Sequence, residues 1–327
     1  MCEISIIIPV FNTERYIEKC FQSAINQTFK SIEIIIIDDG STDKSLEIIN
    51  LFKKKYSFIN VIVQKNSGQG EARNNGIKIA RGRYITFLDS DDWLEDKCLE
   101  EMYSDAIKYD ADIVVCNIKK VYEVNSKEIC MPQFTKEELS KYDVLKEILK
   151  DDEIKSYPCA KLFKRELFIK NNIFFPKNMY YEDLAIGIKL FYYSNKVIIS
   201  NYYGYYYLQR SDSTTRKISN KNVFDRLNAL CMIKKFLKEK EIFIRYRKEY
   251  IRLCIFHLNL IIHQIEDCKL DISYESVIEK TSMLIECELT SKDINNSRLR
   301  KKDKLKLNIF LANRKIYTKY MDFKKKR

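Results

Sequence analysis

The spacing of apolar residues changes character twice along the chain. Near the N-terminus, "EISIIIPVF", "IEIIIIDD", "NVIVQ", "RYITFL" and "ADIVVCN" are short β-branched runs with the length and composition of buried strands. Between the first two, Tyr16, Ile17, Cys20, Phe21, Ala24 and Ile25 recur at helical spacing behind Asn12 and Thr13, which can cap. Further helices are predicted near residues 42–55, 70–81 and 95–109. The resulting βαβαβαβ order predicts an α/β fold, a mainly parallel sheet flanked by helices on both faces. Residues 118–200 mix short strands with helices near 136–150, 164–172 and 182–194, and "KVIIS" and "YYGYYYLQR" read as two late strands. All seven glycines lie at or before Gly204 and all four prolines at or before Pro176, so the last 123 residues lack both breakers and should be nearly all helix. The pattern divides the chain into an α/β region, 1–215, and a helical region, 216–327.

Composition removes several classes. Of the 327 residues, 46% are apolar and 32% charged, and no apolar run approaches the roughly 20 residues of a membrane-spanning helix. "MCEISIIIPVFN" lacks the basic start and cleavage site of a signal peptide, so a cytosolic location is expected. The ten cysteines stand singly, many in apolar segments, the pattern of reduced thiols acting as small hydrophobes. With no C-x-x-C pair and only His257 and His263, a zinc site is not expected. The net charge of +12 is concentrated at the end: residues 298–327 hold thirteen Lys and Arg against two Asp, which leaves about +1 for the rest.

Ligands of parallel α/β sheets bind beyond the carboxyl ends of the strands, where the polar clusters of this chain fall. "PVFN" follows the first strand, "DDGSTD" the second, "KNSGQGEARNNG" the third and "DSDDW" the fourth. The loop "PVFNTE" has no glycine, and Gly68 and Gly70 complete neither a dinucleotide fingerprint nor a P-loop, which argues against a nicotinamide dehydrogenase or P-loop NTPase. What remains is acidic: Asp38 and Asp39 end one strand, and Asp89, Asp91 and Asp92 end another. Such density of hard oxygen ligands predicts a divalent cation, Mg2+ or Mn2+, shared with a diphosphate. The competing reading makes Asp92 or Asp96 the cap of the next helix and Asp89 and Asp91 solvated turn residues.

"ISIIIPVFNTERYIEKCFQSAINQTFKSIEIIIIDDGSTDKS" followed by "NSGQGEARNNGIKIARGRYITFLDSDDW" closely resembles the family 2 glycosyltransferases, inverting nucleotide-sugar transferases of the GT-A fold. The likeness is continuous over residues 3–117 and extends more loosely through "KLFKRELF" and "YYEDLAIGIKLFYYS" to about residue 210. It implies that Pro9, Val10 and Phe11 line the nucleobase and ribose site, and that Asp39 accepts the imide N–H of the base. By the same resemblance Asp89 and Ser90 lie beside ribose and diphosphate, Asp91 with Asp89 binds the metal, and Asn66, Gly68 and Arg73 border the nucleotide. The catalytic base is then Asp183, with Glu182 beside it. An acceptor hydroxyl is too weakly acidic to ionise unaided, so a carboxylate must take its proton as it attacks the anomeric carbon. Read alone, Glu-Asp at this place is ordinary first-turn chemistry of a helix.

The chain departs from the family pattern in two places. "SYPCAKLF" lacks the Trp that many relatives carry before the Lys, and there is no Q-x-x-R-W, which disfavours a processive synthase. The resemblance implies a UDP-sugar donor, a glycan or polyprenyl-linked acceptor, and a role in bacterial surface-glycan assembly. A non-catalytic nucleotide-sugar-binding subunit and a nucleotidyltransferase are the alternative classes. In the aromatic stretch after residue 202, about half of the tyrosines are expected in the core, with Arg210 a candidate diphosphate or acceptor contact. Leu305, Ile309, Ala312, Ile316, Tyr320 and Phe323 form one helical stripe flanked by Lys and Arg. That stripe suits an anionic membrane surface, placing the protein at the inner face of the cell membrane, or packing on the catalytic domain. The C-terminal helices also offer a route to oligomers, and nucleic acid is disfavoured because no binding module accompanies the charge.

Overall fold

The structure, a computed structural model, describes residues 2–131, 138–210, 219–267, 277, 279–281 and 289–312. The chain divides into two compact units, residues 1–148 with 152–213 and residues 149–151 with 214–327. The first begins with β1 (Ile4–Val10), α1 (Ile17–Ile25), β2 (Ile32–Asp38), α2 (Ser45–Lys55), β3 (Ile59–Val63), α3 (Gln69–Ile79) and β4 (Tyr84–Phe87). It continues with β5 (Trp93–Leu94), α4 (Cys98–Lys108), β6 (Ile113–Tyr122), β7 (Glu128–Cys130) and β8 (Glu138–Leu139). After α5 (Lys141–Lys150) come β9 (Lys161–Lys164), α6 (Glu166–Lys170), α7 (Glu182–Tyr193) and β10 (Val197–Gln209).

The strands form one sheet in the order β3-β2-β1-β4-β9-β6-β10-β5. β3, β2, β1 and β4 are mutually parallel, as the alternating pattern predicts. β9 then enters antiparallel between β4 and β6, so the sheet is mixed beyond that point. Antiparallel insertion from a distant segment leaves no trace in local periodicity, which reads spacing and not partners. The two late strands are one: β10 runs through both segments, with a register shift against β6 between Ile199 and Tyr203.

β1 lies in the centre because both of its faces are covered. Ile4, Ile6, Ile7 and Ile8 are fully buried, and each such side chain contributes about 1.5–3 kcal/mol of apolar transfer energy. α3 packs so closely on this strand that a Cβ at Gly76 would stand 2.5 Å from Ile7 Cγ2. That close approach fixes the height of α3 and so delivers its first turn to the carboxyl edge of the sheet. At the same edge Val10 is level with Asp38, and Asp38 with Val63. Leu88 N–H donates to Ile7 O at 3.0 Å, so the turn that follows β4 opens beside the end of β1.

The second unit is helical where described: α8 (Asn220–Glu239), α9 (Phe243–Asp267), α10 (Ser291–Asn295) and α11 (Lys301–Ala312). α8 begins with a reciprocal capping box between Ser219 and Asn222. The two histidines sit on α9 with separate partners, His257 Nδ1 2.9 Å from Arg226 Nη1 and His263 Nε2 3.2 Å from Asp303 Oδ1. Among the described residues the free cysteines include five buried ones, Cys20, Cys98, Cys116, Cys159 and Cys254. No described helix is long and apolar enough to cross a membrane. Of the predicted C-terminal stripe, Ile316, Tyr320 and Phe323 lie outside the described residues.

Candidate active site

The site is built from the loops after β1, β2, β3 and β4, the first turn of α3 and the first turn of α7. Pro9 and Val10 are buried within β1, so only their backbone borders the edge, and Val10 O accepts Asp39 N–H at 2.8 Å. Phe11 is different: its ring is 46% exposed, an apolar surface at the mouth of the sheet. Asn12, held at a left-handed φ of 51°, turns its Oδ1 to accept Thr42 N–H at 2.7 Å. The loop after β1 is thereby tied to the loop after β2.

Asp39 organises the next loop. Its Oδ1 accepts Gln64 Nε2 and Ser67 N–H, both at 2.8 Å, and its Oδ2 accepts Gly68 N–H at 2.9 Å. Gly40 permits this closure, since a Cβ there would lie 2.9 Å from Asn66 N and its φ is +76°. Asn66 is exposed beside it, and Gly68, at φ +87°, leads into α3. Asp38 is only 1% exposed, and its Oδ1 has no hydrogen-bond partner while Ser41 N–H reaches Oδ2 at 3.3 Å.

The three acids after β4 separate into three environments. Asp89 Oδ1 accepts Arg73 Nη2 at 2.8 Å and Gln69 Nε2 at 2.9 Å. Asp91 Oδ2 lies 3.1 Å from Arg210 Nε, an ion pair too bent for a hydrogen bond, and the Arg210 guanidinium stands 4.7 Å over the Tyr16 ring. Asp92 is 1% exposed and accepts Tyr205 Oη at 2.7 Å and Leu208 N–H at 2.8 Å. Burial, then the charges of Asp91 and Asp89, push its carboxyl well above the usual carboxylate range. Ser90, buried, accepts Thr13 Oγ1 at 3.1 Å.

Two expectations are corrected here. Asp92 is not a helix cap: α4 starts at Cys98 behind Lys97, with no side-chain cap, and Asp92 instead binds β10 to the turn. Nor does the acidic cluster need a cation to exist, because Arg73 and Arg210 already stand against two of its carboxylates and the third is hydrogen bonded. These arginines come from distant segments, which a local count of charge does not see. The donor set still suits a cation carried in with a diphosphate. Among the described residues no three His, Cys, Asp or Glu side chains converge as a protein-only cage, but Mg2+ and Mn2+ need only one or two carboxylates when phosphate oxygens supply the rest. Asp91 meets that requirement, with its side chain 22% exposed.

Arg73 is the link that brings α7 to this turn. It is 3% exposed, and while Nη2 holds Asp89, Nη1 donates to Glu182 Oε1 at 2.7 Å. Asn74, the next residue, pins the preceding loop: its Nδ2 donates to Phe175 O at 2.9 Å and its Oδ1 accepts Phe175 N–H at 2.8 Å. Asp183 follows Glu182 in the first turn of α7, half-buried, with Oδ1 accepting its neighbour Leu184 N–H at 2.8 Å. Tyr181, just before them, takes a left-handed conformation at φ 60°, a strained state for a bulky residue. Burial, then the charge of Asp183, raise the Glu182 carboxyl to about 7. We take Arg73 as charged, because Asp89 and Glu182 oppose the effect of its burial.

The model for glycosyl transferase family 2 matches residues 5–171. The chain belongs to this family. Glycosyltransferase GlyG of Streptococcus pneumoniae serotype 4 is 33% identical over 65% of this chain and 73% of its own length. Glycosyltransferase GlyA of the same organism is 35% identical over 65% of this chain, which spans only about a third (32%) of that protein. The crystal structure of S. aureus TarS 1–349 in complex with UDP-GlcNAc superposes with a TM-score of 0.72 at 19% identity, covering 99% of this chain and 91% of that one. This supports the GT-A arrangement of the fold. Within the family frame, sequence reasoning missed Asn74, Tyr205, the link of Asp92 to β10 and the bridging role of Arg73. Each is a polar residue whose partner lies far along the chain, and none carries a spacing signal.

Proposed function

We propose that the protein transfers a hexose or N-acetylhexosamine from a UDP-sugar, with inversion, to a glycan or polyprenyl-linked acceptor in bacterial surface-polysaccharide synthesis. The observation that carries this reading is the Arg73 bridge, which joins the acidic turn after β4 to the Glu182-Asp183 turn of α7. The glycosyltransferase relatives, all bacterial, and the UDP-GlcNAc bound by TarS support the class of donor.

In this reading Phe11 packs against the nucleobase, Asp39 and its loop border it, and Asn66, Gly68, Asp89 and Ser90 flank the ribose and diphosphate. Asp183 accepts the proton of the acceptor hydroxyl as its oxygen bonds to the anomeric carbon. The bond from that carbon to the diphosphate breaks, and UDP leaves with the electron pair. Arg210 lies where it can meet the charge that develops on the diphosphate. Asp91, with Asp89, would hold Mn2+ or Mg2+, which when bound supplies further positive charge to the leaving group.

The acceptor side is set by the loop before β9. Gly187 packs on Ser156, where a Cβ would stand 3.4 Å from the serine Cβ, and Asp183 lies one helical turn earlier on that face. A cavity of about 210 Å3 lined by Asn117, Tyr157, Lys161 and neighbouring residues opens along the same loop. Hydrolysis of a panel of UDP-sugars, with Mn2+ and with EDTA, tests the proposal. UDP release from one or more donors is expected, and failure to bind or cleave any nucleoside diphosphate sugar would overturn it.

A further inference from the structure

α11 carries apolar residues on two opposite faces, and among the described residues the face bearing Leu307 is the buried one. On the inner face Leu307 is fully buried and Asp303, 2% exposed, holds Arg300 Nε at 2.8 Å and His263 on α9. Of the two roles the sequence leaves to the stripe starting at Leu305 and Ile309, packing is not the one seen at this helix, because Asp303 and Leu307 lie on its buried side, half a turn away. At 100° per residue, Lys301, Lys302, Leu305 and Ile309 share the opposite face. Leu305 is 62% exposed, Lys301 and Lys302 are exposed, and Ile309 is half-buried.

We propose that this outer face of α11 is a docking surface for an anionic lipid membrane. Leu305 and Ile309 would enter the headgroup boundary, with Lys301 and Lys302 beside the lipid phosphates. Exposed aliphatic side chains among lysines match the two components of an interfacial helix, apolar burial and attraction to anionic lipid. The charge distribution points the same way: residues 298–327 carry +11 of the +12 net charge, so the attraction is local to this end. Nucleic acid fits less well, since phosphate contacts need no exposed leucine. A second copy fits less well too, because a twofold contact through this face would set lysines against lysines. The inference stands apart from the donor chemistry, and its test does not use transfer activity.

The experiment is co-sedimentation of the full chain with vesicles of phosphatidylcholine alone and of equal phosphatidylcholine and phosphatidylglycerol. Binding to the anionic vesicles only, weakened by salt, is expected. Lys301→Gln with Lys302→Gln should lower the partition coefficient roughly thirtyfold. Leu305→Ser should lower it roughly tenfold. All three side chains are exposed, so thermal unfolding of the variants should match that of the parent. Equal binding to neutral vesicles, unchanged binding by the variants, or retention by RNA without vesicle binding would each overturn the proposal.

Discussion

Asp38-Asp39 and Asp89-Ser90-Asp91-Asp92 occupy equivalent places, the ends of the two strands that flank β1, yet their charges are met in opposite ways. At the first pair the partners are neutral: Asp39 receives two backbone N–H groups and one amide from the loop at 64–68. At the second group two of the partners are cations, Arg73 on α3 and Arg210 after β10, and the third is Tyr205 within β10. The difference is one of neutral against charged partners. A carboxylate satisfied by N–H groups of a neighbouring loop shapes that loop. One held by arginines that also reach other acids couples parts of the site that the sequence keeps more than 100 residues apart, as Arg73 does with Glu182.

The comparison breaks most visibly at Arg73. Arg73→Met leaves Asp89 and Glu182 without their shared cation, and removing one partner of a buried pair costs about 3–5 kcal/mol. Urea unfolding that shows no loss would mean the bridge does not hold the two turns together. At the other strand end, Asp39→Asn turns an N–H donor toward Gly68 N–H and should cost about 2 kcal/mol. Asp91→Asn, at a partly exposed carboxylate, should change stability by less than about 0.5 kcal/mol. Equal costs at the two positions would erase the distinction.

Glu182 sharpens the contrast through pH. Its carboxyl is raised to about 7 in the fold, from an ordinary value of 4.5, by burial and then by Asp183. Protonation therefore favours the folded chain. That stabilisation is complete below about pH 4.5 and is lost as pH rises through about 7. Glu182→Gln lacks the titration, so its melting temperature relative to the parent should rise across this window; parallel curves would contradict the assignment. Tyr205→Phe removes the hydrogen bond donated to Asp92 and the weaker one accepted from Asp89 N–H, and should cost about 1 kcal/mol in chemical unfolding.

What was legible in the sequence follows from the range of each signal. The β-branched runs and the polar clusters behind them mark the parallel half of the sheet and its carboxyl edge, because period and composition are local. β9 is four residues long, inserted antiparallel, and its partners are set by tertiary contacts. "DSDDW" announces an acidic turn, but not that Asp92 faces β10, 113 residues later. "EARNNG" reads as a helix start, yet nothing in it reveals that Arg73 reaches the start of α7 and Asn74 the segment before it, about 100 residues away. Which face of α11 is buried was left open for the same reason: Asp303 breaks the apolar pattern while its partners place it inside.

The central claim is that the turn after β4 and the start of α7 form one reacting site, with binding and proton transfer divided between them. Its most direct test measures UDP binding and sugar transfer together in Asp183→Asn. The account predicts a dissociation constant for UDP equal to that of the parent and a transfer rate lower by about 100- to 10,000-fold. Undiminished transfer in that variant, or loss of UDP binding in a chain that still folds, would contradict it.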